Sequence, residues 1–271
     1  MKNNELYQLL KLPEKVVEQL IEYEKKQTNF FQIEIEELIS DIFLMKRLNE
    51  EIKTFVGEDS DGIGMLWEEL NISLKTFKEY QKKGISIDIF LDTMKFCTRF
   101  LNEYYKTYGI YRFTWGWWFP RQLSMREFRI GALEYEYCEE KCIEVHIPSD
   151  ANLSKQSVLS SLTEFKEFCK KYYPEWSKLE IWCESWMLSP ALNKILKEDS
   201  NIIQFQSLFD VKETDYESMA VLDWVFPGCE QVSETMQERT SLQKNMKQYL
   251  LTGGKIGWSK GVLYHNFLKN L

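Results

Sequence analysis

The sequence predicts an α+β protein: a helical domain over residues 1–110, then a β-sheet flanked by helices over 111–271. Three observations predict it. Up to about residue 110 the apolar residues recur every three to four positions, the period of a helix buried along one face. Beyond that point they alternate, as in a half-buried strand. The chain has 271 residues, 44% of them hydrophobic, enough for two cores of ordinary size.

In the first domain Val16, Val17, Leu20 and Ile21 form one stripe. Ile35, Leu38, Ile39, Ile42 and Met45 form a second, and Ile87, Phe90, Met94, Cys97, Leu101 and Tyr104 a third. "TFVGEDSDGIG" (54–64) and "KKGIS" (82–86) supply the glycines and polar residues of connecting loops. In "EFRIGALEYEYC" (127–138), Leu133, Tyr135 and Tyr137 fall on one side and Glu134 and Glu136 on the other. Phe128 and Ile130 have the opposite parity, so a bulge is expected at Gly131. "CIEVHIP" (142–148) follows a short turn and completes a hairpin.

Ser154 then N-caps a helix that buries Val158, Leu162, Phe165, Cys169 and Tyr172 until "YYPEW" ends it. "KLEIWCESWML" (178–188) predicts a strand, and Ser189 with Pro190 opens a short helix to Leu196. "NIIQFQSLFDV" (201–211) and "MAVLDWVF" (219–226) predict the last two strands. A final helix over 238–251 ends with Gly253 just beyond its cap.

A net charge of -8 argues against a broad nucleic-acid surface, which needs clustered Lys and Arg. No run of 18 apolar residues occurs, and "MKNNELYQLL" lacks the apolar core of a signal peptide. A cytoplasmic protein without a membrane partner is expected. The six cysteines form no CxxC pair and are expected to be free thiols. Cys138, Cys142 and His146 lack an evident fourth ligand, so no metal is expected. "LTGGKIGWSKG" (251–261) lacks the strand-GxxxxGK(S/T)-helix order of a phosphate-binding P-loop.

The expected order strand, strand, helix, strand, helix, strand, strand is similar to that of the second half of a GNAT (N-acetyltransferase-like) fold. With "RIGALEYEY", "HIPSDANLS", "CESWMLSPAL", "SNIIQFQSLF", "DWVF" and "TSLQKNMKQYLLTGGKIGWSKG", the chain resembles a bacterial family. That family joins a helical N-acyltransferase N-terminal domain to a GNAT-like C-terminal domain. The resemblance covers nearly the whole chain and implies a mixed β-sheet flanked by helices. It also implies an acyl-CoA-dependent N-acyltransferase, with acetyl-CoA or another acyl-CoA as donor and a small-molecule or peptide amine as acceptor.

In such folds the loop and helix after the fourth strand hold the CoA pyrophosphate, and that strand's main chain faces the thioester oxygen. Carried over, the cradle is Ser149, Asp150, Ala151, Asn152, Ser154, Lys155 and Ser157, and the main-chain donors lie around Val145 and Ile147. The physical reading agrees, because a helix N-terminus offers unpaired N–H groups and partial positive charge to an anion. The loop departs from the family's QxxGxG pattern in having no glycine. A plainly capped helix is the alternative.

The reaction calls for a base, oxyanion donors and an acid. Glu144 and His146 share a strand face and are candidate bases, with Glu134 and Glu184 as rival carboxylates. The helix "PALNKILKED" lacks the tyrosine that GNAT enzymes commonly use as acid. Ser185, Ser189, a water or a tyrosine from elsewhere remain open, as does the absence of any acid, since a thiolate is already a fair leaving group. In "TWGWWFPR" (114–121), Trp115, Trp117 and Trp118, with Arg121 and Arg129 nearby, read as a substrate wall with anion-gripping arginines. The favoured reading of them is structural, a buried aromatic seam where the helical domain docks on the sheet. Trp186, beside Glu184, is a further substrate candidate. A non-catalytic ligand-binding or regulatory protein on the same fold is the alternative class.

Overall fold

A computed structural model of the chain describes residues 1–264. It divides into two compact units, one of Met1–Ile130 with Glu134–Glu139, the other of Gly131–Leu133 with the chain from Glu140 onward.

The first unit is helical: α1 (Asn3–Leu9), α2 (Glu14–Lys26), α3 (Ile35–Ser40), α4 (Ile42–Val56), α5 (Ile63–Lys83), α6 (Ile87–Met94), α7 (Phe96–Tyr108) and α8 (Pro120–Leu123). Two expected stripes are each split in two. Asp41 caps α4 by accepting from the Phe43 N–H at 2.8 Å, and the chain turns at Lys95 between α6 and α7. α5 is buried on most sides, through Met65, Leu66, Trp67, Leu70, Ile72 and Tyr80, as expected of a central helix. Its start is fixed by Asp59, whose carboxylate accepts from the N–H groups of Gly64 at 3.0 Å and Met65 at 2.7 Å. Gly62 sits at φ +74°, and a Cβ there would stand 2.0 Å from the Phe113 carbonyl oxygen. Only glycine fits both demands.

The expected bulge at Gly131 is a turn instead. β1 (Glu127–Ile130) stops, Gly131 takes φ +61°, and β2 (Leu133–Tyr137) begins. The apolar face switches because there are two strands, not one kinked strand.

The second unit holds β3 (Ile143–His146), α9 (Lys155–Tyr172), β4 (Ile181–Ser185), α10 (Asn201–Gln206), β5 (Phe209–Asp215), α11 (Val221–Val225), α12 (Ser241–Leu251) and β6 (Trp258–Leu263). Its strands lie in the order β3-β4-β6-β5. β3 and β4 are parallel, and β4, β6 and β5 run antiparallel, which makes the sheet mixed. Trp186, Leu192, Phe226, Met246 and Ile256 belong to one apolar core of this unit.

Three sequence expectations are corrected here. Residues 201–206 are helical, capped by Ser200, and the strand begins only at Phe209. Residues 221–225 are helical because Val221, Leu222, Val225 and Phe226 are spaced to bury one helix face. The central closing strand is β6, which was not anticipated. Its buried positions are Ser259, Gly261 and Leu263, so it shows little apolar alternation. Gly253 does follow the cap of α12, at φ +85°. No described helix is long and apolar enough to cross a membrane, and all six cysteines are free thiols.

Candidate functional site

The second unit has a place where its sheet opens. The ladder between β3 and β4 is formed by Ile143↔Ile181 and Glu144↔Trp182. β4 continues, with Cys183, Glu184 and Ser185 paired to Gly261, Lys260 and Ser259 of β6. Past Glu144 and Trp182, then, β4 keeps its partner on one side while the described ladder to β3 has ended. A parallel pair that parts leaves backbone donors and acceptors facing a gap, and such groups call for a partner.

The chain leaving β3 supplies the next feature. Ala151 N–H donates to the Pro148 carbonyl at 2.9 Å, and Ser154 N–H donates to Asn152 Oδ1 at 3.0 Å. Ser154 Oγ accepts from the Ser157 N–H at 3.4 Å and caps α9. The N–H groups of Lys155 and Gln156 have no partner among the described residues. No acidic residue lies in the first turn, while Lys155 is exposed and basic. The end of α9 therefore keeps its positive field and two open donors. Ser149, Asp150 and Asn152 are exposed, Ala151 and Ile147 half-buried, and Val145 buried.

Glu144 pairs with Trp182, and Glu184 is two residues further along β4, so these three side chains share one sheet face. Lys260 is the cross-strand partner of Glu184, forms an ion pair with it, and lies 5.5 Å from the Trp182 ring. The Glu184 hydrogen bond holds the Lys260 ammonium above its ordinary range, and the charges of Glu184, Glu144 and Glu213 add to it. On the buried side, burial pushes the Cys183 thiol well up, aided by Glu144 and Glu184. Cys183 is thus an inert thiol. His146 stands half-buried at the end of β3, on the Glu144 side by strand parity.

The serines weighed as acids are engaged structurally. Ser185 Oγ accepts from the Met187 N–H at 3.1 Å, and buried Ser189 caps Ala191 while donating to the Ile256 carbonyl. Trp186, 5% exposed, is part of the apolar core.

The remaining candidates lie in the first unit. Glu134 is gripped by Arg99 through bonds of 2.7 and 3.2 Å, with Arg129 at 3.8 Å from the same carboxylate. Arg121 donates from Nε to Glu136 at 3.1 Å and stacks 4.1 Å over Trp118, whose indole N–H donates to Glu127 at 2.8 Å. Trp115 stacks on Phe100 at 3.9 Å and on Trp117 at 5.3 Å, while Trp117 itself is 49% exposed. Both arginines thus answer carboxylates of their own unit. Lys260 was missed from sequence because β6 was missed. The alternation W-S-K-G-V-L was the available signal, hidden by two small residues at buried positions.

Comparison with known proteins bears on the family and the fold. Residues 127–263 match the model of the GNAT-like C-terminal domain, and residues 1–125 match that of the N-acyltransferase N-terminal domain. No curated protein matches the chain. Among solved structures, an acyltransferase in complex with decanoyl-CoA and teicoplanin superposes with a TM-score of 0.75 at 19% identity, over 96% of this chain and 86% of that one. An acyltransferase mutant in complex with octanoyl-CoA gives 0.76 at 18% identity, over the same shares. The likeness to these structures is one of fold. With its C-terminal half and more matched by one family model and the preceding residues by its companion, the chain belongs to the GNAT-like C-terminal domain family, joined here to an N-acyltransferase N-terminal domain.

Proposed function

We propose that the protein is an acyl-CoA-dependent N-acyltransferase whose donor enters where β3 and β4 part. The observation that carries this reading is the end of the β3–β4 ladder at Glu144↔Trp182, close in sequence to a helix with two unpartnered N–H groups. The pyrophosphate is assigned to the N–H groups of Lys155 and Gln156, with Ser149, Asp150, Ala151, Asn152, Ser154 and Ser157 shaping the approach. This cradle needs no glycine, because first-turn N–H groups are accessible without close backbone contact.

In the reaction, the acceptor's neutral amine attacks the thioester carbon, the C–S bond breaks, and the thiolate leaves to be protonated. The base removes the amine proton. Glu184 is engaged by the Lys260 ion pair, and Glu134 by the Arg99 fork. Among the candidate bases, an imidazole has the affinity for a proton best matched to neutral pH. His146 is assigned as base, with Glu144 on the same face. N–H groups of the β3 main chain around Val145 and Ile147 are assigned to the thioester oxygen. The decanoyl- and octanoyl-CoA held by the neighbours support a donor longer than acetyl, and teicoplanin in one of them supports an acceptor of small-molecule or peptide class.

The test is thiol release from acetyl-, octanoyl- and decanoyl-CoA across an amine panel. His146→Ala is expected to lower kcat by about 100-fold or more while CoA affinity stays within about twofold. Unchanged turnover would remove His146 as base. Tight acyl-CoA binding without turnover on any amine would favour a ligand-binding protein on the same fold.

A further inference from the structure

The first unit contains a cavity of about 470 Å³ whose lining the acyl-transfer reading does not use. That volume suits a small organic ligand. α4 contributes Asn49, Lys53 and Val56 to its lining, spaced i, i+4, i+7 along a single helix face. The segment 112–117 contributes Arg112, Phe113, Gly116 and Trp117, α5 contributes Met65, and Asp59 and Ser60 line it as well.

Two features of this lining call for a ligand. Asn49 is 7% exposed; its amide N–H donates to Glu50 Oε1 at 2.8 Å, yet its Oδ1 is buried without a partner. Because the Glu50 carboxylate only accepts, it fixes the amide with Nδ2 toward Glu50, leaving an acceptor inside that lacks a donor. Arg112 is half-buried and forms no ion pair or hydrogen bond among the described residues, whereas Lys53 is paired with Glu50 at 2.8 Å. The start of α5 does not supply the anion site, since Asp59 already accepts from its N–H groups.

An unanswered acceptor, an unanswered guanidinium and apolar side chains lining the same cavity define one chemistry. We propose that this cavity binds a small zwitterion of the amino-acid or peptide class with an apolar side chain. Its carboxylate meets Arg112, its ammonium or amide N–H meets Asn49 Oδ1, and its side chain lies against Met65, Phe113 and Trp117. A guanidinium takes a carboxylate through paired N–H bonds. Filling Asn49 Oδ1 removes the cost of a buried, unpaired acceptor.

The experiment is calorimetric titration of the full chain with L-phenylalanine and leucyl-phenylalanine, and with 3-phenylpropionate and phenethylamine, each of which lacks one charge. Saturable one-to-one binding of the zwitterions is expected, with both single-charge probes at least about tenfold weaker. Arg112→Gln, a half-buried change without a fold-holding partner, is expected to weaken the zwitterions about 10- to 100-fold and leave phenethylamine unchanged. Asn49→Leu is expected to weaken phenethylamine and the zwitterions alike. No saturable heat with either zwitterion at millimolar concentration, or equal affinity in Arg112→Gln and wild type, would overturn the proposal.

Discussion

Glu69 shows how one buried residue sets a pH response. Both its carboxylate oxygens are buried without a partner, and Oε1 lies 3.4 Å from where a Cβ on Gly116 would stand. Burial, and then the charge of Asp59, hold its carboxyl well above the usual range. A folded value above the unfolded one gives a contribution to stability that is full below the unfolded value and is lost as pH rises through the folded one. Glu69→Gln keeps the shape and removes the titration. Its stability relative to wild type is therefore expected to rise with pH by up to about 1.4 kcal/mol per unit across that window, read by urea unfolding between about pH 5 and 8. A difference that is flat with pH would contradict this. Two glycines separate strain from contact in the same way. Gly84 lies at φ +73° with nothing within 4 Å of an added Cβ, while Gly62 has the Phe113 oxygen at 2.0 Å. Gly84→Ala is expected to cost about 1 kcal/mol and Gly62→Ala distinctly more, measured by thermal unfolding. At this scale the sequence offered Glu144, His146 and Glu184 as candidate residues, and strand parity places Glu144 and Glu184 on one sheet face. It could not show that Glu134 is held by Arg99, because that partner is 35 positions away and on a helix.

The helix α9 carries the clearest prediction about an element. Ser154→Ala removes the cap on Ser157 N–H and is expected to cost about 1 kcal/mol of stability, read by chemical denaturation. An unchanged midpoint would show that the loop supports the helix start without it. α9 was legible from sequence to within a residue, since an N-cap serine and a long apolar period agree. The elements after it were less so, and for physical reasons. α10 and α11 have 6 and 5 residues, too short for a helical period to stand out from alternation. β6 packs Gly261 where a Cβ would meet the Asp210 oxygen and Leu188 at 3.2 Å. A central strand that must stay thin cannot advertise itself by large apolar residues. The turn at Gly131 was read as a bulge because both produce the same switch of face.

At the scale of the whole chain, two units have separate assignments: the second for the acyl donor, the first for the cavity between α4 and the segment 112–117. The α+β class and the helical-then-mixed-sheet order were readable in the sequence because long periodic helices dominate the first unit. The opening beside β4 does not follow from the residue pattern alone, since it depends on which partner each strand keeps. Donor binding should be visible in stability: acyl-CoA at about 100 times its Kd is expected to add about 2.7 kcal/mol. The measurement that tests the central claim most directly is calorimetric titration with decanoyl-CoA of the wild type and of a variant carrying Ser154→Glu and Ser157→Glu. Tight one-to-one binding by the wild type, weakened at least about tenfold in a still-folded variant, is the predicted result. Wild-type protein that binds no acyl-CoA, or a variant that binds as well as wild type, would contradict the assignment of the α9 N-terminus as the pyrophosphate site.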